Sequence, residues 1–260
     1  RFGTYDAQTL AFLWLAIENR KSLLVVGGTA SGKTSTMNAV SLFIPQNAKV
    51  VSLEDTREIQ LPHKNWLPTQ TRELNVEGIK GDIDLFSLLK ASMRQRPEYI
   101  IVGEVRGREA QTLFQAMNSG HSTLSTIHAG SVYEAINRLT HDPINVPPVM
   151  FQALDLVVVQ AIYTTGKTRI RRCLSIHEIE VTKNGEINPT LLFEWDIQHD
   201  TFRRVFLKST VLNEIAFHCG WSETELEHQL KNREEFFAGA LDVEPPTLRD
   251  LANAIQDIGD

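Results

Sequence analysis

Apolar residues recur along this chain with two periods, and the switch between them divides it. Leu10, Leu13, Trp14 and Ile17 share one face of a helix that Thr4 or Asp6 can cap. Leu23-Leu24-Val25-Val26 is a short unbroken apolar strand, followed by a glycine-rich loop and a helix over about Lys33 to Leu42. A second strand, Lys49 to Leu53, ends in Glu54-Asp55. Gln60 to Gly81 is irregular and carries Pro62, Pro68 and Gly78. Leu85, Leu88, Leu89 and Met93 mark a helix that stops before Pro97. Tyr99 to Val102 is a third strand. Ala110, Leu113, Phe114 and Met117 then lie at i, i+3, i+4 and i+7 of a helix closed by Gly120. Ser122 to Ile127 is a fourth strand, and Ser131 with Glu134 forms a capping box for the helix after it. Strands alternating with helices predict an α/β fold, a mostly parallel sheet with helices on both faces.

Beyond this point the alternation stops. Leu156 to Tyr163 and Thr168 to Val181 read as strands around a turn at Thr165-Gly166, and Asn184-Gly185 signals another hairpin. These predict an antiparallel hairpin extension. From about Thr210 the chain is helical again. Ser222 and Glu225 make a second capping box, Leu226, Leu230 and Arg233 follow, and a last helix starts near Thr247. The expected division is a main domain over 1–208 and a small C-terminal helical subdomain over 209–260.

Composition changes this picture little. At 42% hydrophobic and 22% charged, 260 residues can build a sizeable core. A net charge of −6 argues against a surface that wraps DNA. Cys173 and Cys219 fit neither a disulfide framework nor a four-ligand zinc site, so two reduced thiols are expected. The longest apolar run, around Leu154 to Tyr163, is short of the roughly 20 residues of a spanning helix and carries Asp155 and Gln160. The chain opens on Arg1 and already approaches a helix, with no signal peptide. The expectation is a fragment whose N-terminal part has been cut away.

The chemistry sits in the loop. GGTASGKT fits G-x-x-x-x-G-K-[ST], with Gly27, Gly32, Lys33 and Thr34 in the fixed places. Glycines let the backbone turn its N–H groups inward onto phosphate oxygens, and the next helix adds its positive end. Gly27, Gly28, Thr29, Ala30, Ser31, Gly32, Lys33, Thr34 and Ser35 are therefore the expected nucleotide-binding set. Lys33 reaches the β- and γ-phosphates and Thr34 supplies a hydroxyl to Mg²⁺. A loop of this kind leaves ATPases, kinases and GTPases open. Two acids then stand at strand ends downstream, Glu54-Asp55 and Glu104, where Mg²⁺ or an attacking water needs them. His121 and His128 lie seven residues apart across the fourth strand, on opposite sides of an ideal strand, which argues against a shared metal. His128 is the better placed of the two to meet a γ-phosphate. Arg57, Arg72, Arg94, Arg96, Arg106, Arg108 and Arg138 are dense here, either as solvated surface or as groups that reach a neighbour's nucleotide.

Four segments in this order resemble the secretion-type ATPases that drive type II and type IV secretion, type IV pili and related filaments. They are Gly27 to Thr34; SLEDTREI at Ser52 to Ile59; YIIVGEVRG at Tyr99 to Gly107, with Glu where other P-loop proteins have Asp; and GHSTLSTIHAG at Gly120 to Gly130. EDTREIQLPHKNW, LLKASMRQRPEYIIVGEVRGREA and the tail GWSETELEHQLKNREEFF are most similar to the archaeal branch, which drives pili and the archaellum. The resemblance spans essentially the whole chain. It implies a RecA-like P-loop fold, ATP and Mg²⁺ as ligands, and ATP hydrolysis. Glu54 would polarise the attacking water, Glu104 would hold Mg²⁺ through water, and His128 would contact the γ-phosphate. Arg94 would act at the site, with Arg72, Arg106, Arg138 and His121 as inter-subunit or sensor candidates. It further implies a cytoplasmic homohexamer, peripheral at the membrane face, that pushes on a membrane-embedded platform protein and holds no stable nucleic acid. Two rival readings keep the loop and change the job: a conjugation-type transfer ATPase, and an ATP-binding assembly switch with negligible turnover.

Overall fold

The computed structural model describes residues 2–73, 82–165, 168–206, 208–240 and 247–259. Gly78 and the glycine of the Thr165-Gly166 turn lie outside them. Helix α1 (Ala7–Glu18) is capped by Asp6, whose Oδ1 accepts from Thr9 N at 2.8 Å, while Thr9 Oγ1 accepts from Asp6 N. It delivers the chain into β1 (Leu23–Gly27), then α2 (Lys33–Val40), β2 (Val50–Glu54), β3 (Trp66–Gln70), α3 (Leu85–Met93), β4 (Tyr99–Val105), α4 (Glu109–Asn118), β5 (Ser122–Ile127) and α5 (Val132–Thr140). The antiparallel part follows as β6 (Leu156–Thr165), β7 (Thr168–Val181), β8 (Ile187–Asp196) and β9 (Thr201–Arg204), and the tail as α6 (Thr210–Cys219), α7 (Glu223–Ala240) and α8 (Leu248–Gly259).

All the strands join one sheet in the order β3-β2-β4-β5-β1-β6-β7-β8-β9. Pairing is parallel from β3 to β6 and antiparallel from β6 to β9. The mostly parallel α/β fold with an antiparallel extension and C-terminal helices is therefore the one expected. Period-two alternation splits the core in two. Leu23, Val25, Val50, Ile101 and Val158 face α1 and the tail, whereas Leu24, Val26, Val51, Ile100 and Val157 face the cluster around Leu89, Phe114 and Val132 of α3, α4 and α5. Covered on both faces, β1 is buried at every position, which is why it reads as a continuous apolar run.

Three local expectations change. The irregular stretch contains β3, an edge strand where Pro68 stands opposite Ser52, and an edge is where a strand tolerates proline. The short strand β9 also escapes the hydropathy pattern. In α5, Ser131 Oγ accepts from Glu134 N as expected, but the Glu134 carboxylate takes Gly130 N at 2.6 Å, one residue before the cap. Both cysteines are free thiols.

The tail is bound to α1 through an aromatic cluster and one buried cation. Trp14 stacks on Phe43 at 5.7 Å and meets Phe236 and Phe237 edge-on, each at 5.6 Å. Arg233 of α7 is 1% exposed and lies 5.1 Å over the Trp14 ring. Its Nη2 donates to Glu18 Oε2 at 2.6 Å and its Nη1 to Gln229 Oε1 at 2.7 Å. Removing one partner of such a pair leaves the other charge stranded.

Arg233→Ala is expected to lower the unfolding free energy by about 3 kcal/mol, and Arg233→Met by less, because a flexible apolar chain refills the space over Trp14. Urea denaturation of the two variants measures this; equal stability in both and in the parent would count against it. The Asp200 carboxyl, hydrogen-bonded first by Arg172 and then by Trp195 Nε1, is pulled down to about 2. Its contribution is thus complete above the ordinary carboxyl range near pH 4 and is lost as the pH falls through 2. Asp200→Asn, which keeps the left-handed turn (φ 50°), should cost stability at pH 7 and progressively less as the pH falls through 2, flattening the acid limb of a Tm–pH curve.

Candidate functional site

The glycine-rich loop leaves the carboxyl end of β1 between two parallel neighbours, β5 and β6. Space there is the constraint. A Cβ on Gly27 would lie 2.3 Å from Ser31 Oγ and 2.8 Å from the Gln160 carbonyl oxygen. Ser31 Oγ donates to Gly28 O at 2.9 Å and closes the loop on itself. Ala30 (φ 59°) and Gly32 (φ 98°) take left-handed backbone, and no side chain caps α2, whose first residue is Lys33. Lys33 Nζ donates to Gly27 O at 2.9 Å and Gly28 O at 3.0 Å, so the ammonium lies across the loop mouth. Burial pulls the Lys33 amine below the usual lysine value, and the Glu104 carboxylate opposes that pull.

The next strands bring their ends to the same place. Thr29, Lys33, Thr34, Glu54, Glu104 and His128 line one cavity of about 470 Å³. Glu54 closes β2 at 2% exposure. Its Oε1 accepts from Glu58 N and Ile59 N, both at 2.8 Å, so it folds the chain after β2 back over the cleft. Its Oε2 is buried without a protein partner among the described residues. On β4 the register with β5 slips between Val102 and Val105, and this irregularity sets Glu104 at the cleft. A Cβ on Gly103 would be 3.4 Å from Glu54 Cγ, an ordinary contact distance, so the two acidic strand ends lie side by side. Arg106 Nε donates to Glu104 Oε2 at 2.8 Å. Thr126 of β5 joins the cavity wall and donates to Gly103 O at 2.7 Å. Arg138 of α5 hydrogen-bonds the His128 carbonyl.

Two expected site residues are not brought here. Arg94 caps the end of α3, and a helix that precedes a parallel strand ends at the sheet's amino edge, across β4 from the loop. His121 precedes β5 at that same edge, where its Nδ1 lies 3.2 Å from Ser119 Oγ. Neither lines the cleft of its own chain. Arg72, just past the carboxyl end of β3, lies with Arg106 in an adjoining cavity rimmed by Asp55, Asp82 and Asp84. Among the described residues no cluster of His, Cys, Asp and Glu could hold a metal by itself.

The sequence reading missed the other side of the loop. A second cavity, of about 660 Å³, lies between Ala30 to Ser35 and residues from β7 and the first segment: Ile170, Arg171, Phe2 and Thr4. Arg171 Nε donates to Ala30 O at 2.9 Å, and its Cδ packs where a Cβ on Gly32 would reach 3.2 Å. Arg171 is 141 residues from Ala30 in sequence, and no local pattern could have linked them.

With this geometry in view, the chain's relationships follow. The family model of type II/IV secretion system proteins matches residues 1–186. The chain is 43% identical over 248 residues to an uncharacterised protein of Methanocaldococcus jannaschii, covering 94% of this chain and 91% of that one. It is 37% identical over 179 residues to the conjugal transfer protein TrbB of Rhizobium radiobacter, covering 65% and 52%. The VirB11 ATPase of the Brucella suis type IV secretion system shares the fold, with a TM-score of 0.53 at 24% identity over 65% of this chain and 51% of that one. The chain belongs to the type II/IV secretion system protein family, and it spans about half the length of TrbB and of VirB11.

Gly27→Ala is expected to cost about 1–3 kcal/mol of stability through the clash with Ser31 and the β6 backbone, with Tm falling accordingly. Gly28→Ala, in open space, is the control; equal Tm in both variants would refute the close approach.

Proposed function

We propose that this chain is the ATP-hydrolysing domain of a secretion-type motor. One observation carries the proposal: the glycine-rich loop, Thr34, two carboxylates from neighbouring strand ends and His128 converge on one cleft at the carboxyl edge of a parallel sheet. The residues fit a nucleoside triphosphate. The loop is a cradle that a Cβ at Gly27 would fill, Lys33 supplies the phosphate charge, and the unpartnered Glu54 Oε2 gives the cleft a buried acceptor. Gly28, Thr29, Ala30, Ser31, Gly32 and Ser35 complete the cradle. The cavity at Phe2, Ile170 and Arg171 has the size and mixed lining to take a base and ribose.

Thr34 and Glu104 would hold Mg²⁺, which when bound supplies charge neutralisation on the transferred phosphoryl group. Glu54 then orients and accepts a proton from the attacking water. Its Oε1 is fixed by two backbone N–H groups, which leaves Oε2 for that role. His128 contacts the γ-phosphate, with the chain at its carbonyl held by Arg138. Lys33 exchanges its carbonyl bonds for phosphate oxygens.

In the full protein we assign residues 1–208 to the ATPase domain and 209–260 to a helical subdomain. The machine we infer is a homohexamer that drives a pilus-like or archaellum filament, or secretion, from the cytoplasmic face of the membrane through a platform protein. Similarity to an uncharacterised Methanocaldococcus protein over nearly its full length supports an archaeal setting. Within that hexamer Arg72, Arg94 and His121 are candidates for contact with a neighbour. No described helix is long and apolar enough to cross a membrane. Similarity to TrbB favours a second reading, a conjugation-type motor, which steeply salt-dependent binding to single-stranded DNA would reveal.

Phosphate release by the full-length protein tests the first reading. Lys33→Ala and Glu54→Gln should each lower kcat by about 100-fold or more, with Glu54→Gln keeping its affinity for a fluorescent ATP analogue. Unchanged rates in both variants would reject it, and nucleotide binding without turnover in the parent would point to an assembly switch.

A further inference from the structure

The turn between β4 and α4 carries a carboxylate that the proposed chemistry does not use. Glu109, the first residue of α4, is 8% exposed. Its Oε1 accepts from Arg106 N at 2.6 Å and from Gly107 N at 2.8 Å. Arg108 at the helix cap makes no side-chain cap bond, so Glu109, with the backbone bond from Ala110 N to Gly107 O, folds this turn onto the start of α4. The turn in turn aims Arg106. Residues 104 and 106 are two apart along an extended chain and project to the same side. Both Nε and Nη2 of Arg106 bond a single Glu104 oxygen, Oε2.

We propose that Glu109 is a positioning residue for metal binding: it pins the turn so that Arg106 competes with a divalent cation for the Glu104 carboxylate. The inference rests on the ATPase reading, because it takes Glu104 as the metal-side acid. Arg106 is well exposed and Glu104 partly so (69% and 22% of their side chains), which makes the pair weak enough to exchange. Competition of this kind weakens metal binding by about two- to fivefold and lets the carboxylate turn toward the cation only as the guanidinium leaves.

The sign of one substitution separates this from simple Coulomb attraction. Removing a nearby negative charge weakens cation binding by charge alone. Releasing Arg106 strengthens it. Mn²⁺ titration of the full-length, ADP-saturated protein, read by electron paramagnetic resonance, should show Glu109→Ala tightening Mn²⁺ about threefold. Arg106→Gln should tighten it as much, and the double variant no further, since both act through one contact. Glu109→Gln, which keeps the acceptor oxygen and loses the charge, should bind no more tightly than the parent. Weakened or unchanged Mn²⁺ affinity in Glu109→Ala, whatever Arg106→Gln does, would overturn the positioning role while leaving the ATPase reading intact. A parent protein that binds no Mn²⁺ with ADP would overturn both.

Discussion

The close approach at the end of β1 is the constraint from which the rest of the site follows. Gly27 faces Gln160 across the β1–β6 ladder with no room for a side chain, so the loop must leave the sheet at once and turn through left-handed backbone at Ala30 and Gly32. That turn sets the uncapped start of α2 toward the carboxyl edge. A parallel sheet repeats the arrangement, since every strand in it ends at the same edge. Glu54, Glu104 and His128 reach one cleft because β2, β4 and β5 run in the direction of β1. Within a lattice of strands about 4.8 Å apart, little else is needed to bring three remote residues within reach of one ligand.

Much of this was legible in the sequence. Apolar runs flanked by helical periods gave β1, β2 and β4, because strands covered on both faces need no polar side, whereas β5 (STLSTI) is buried throughout although most of its side chains are polar. What escaped was structure whose cause lies far away in the chain. β3 hides behind Pro68 because it is an edge strand held only by β2. Arg171 carries no local mark of its contact with Ala30. Arg233 follows Leu226 and Leu230 on one helix face, but its charge gave no sign that it is, after Trp14, the largest fully buried side chain among the described residues. Arg94 shows the converse: its expected place came from resemblance, and chain direction puts it at the opposite edge.

The antiparallel extension and the tail brace the loop from its two flanks. Behind α2, Gln160 Nε2 donates to Thr36 Oγ1 at 2.8 Å, and Tyr5 Oη to Thr36 Oγ1 at 3.2 Å, so the first segment, α2 and β6 share one polar contact. Thr4 O accepts from Cys173 N at 2.9 Å, and Arg172 Nη1 donates to Phe2 O at 2.9 Å, which lays that segment along β7. On the other flank α7 packs on α1, the helix that leads directly into β1, through Trp14 and Arg233.

This bracing bears on how a local event at the loop could be felt elsewhere. Packed cores have discrete arrangements and do not deform continuously, so a loop that moves must carry along what is hydrogen-bonded to it. The bonds at hand are few and specific: Arg171 to Ala30, Thr36 to Tyr5 and Gln160, and Glu54 to the chain at Glu58 and Ile59. The first two tie the loop and its helix to β7 and to the segment before α1; the third ties the cleft to the crossover that ends in β3. A change in what Lys33 and Glu54 hold would therefore be transmitted to both sides of the parallel strands, toward β3 on one side and toward β7 with the first segment on the other, while the central strands, buried on both faces, stay in register.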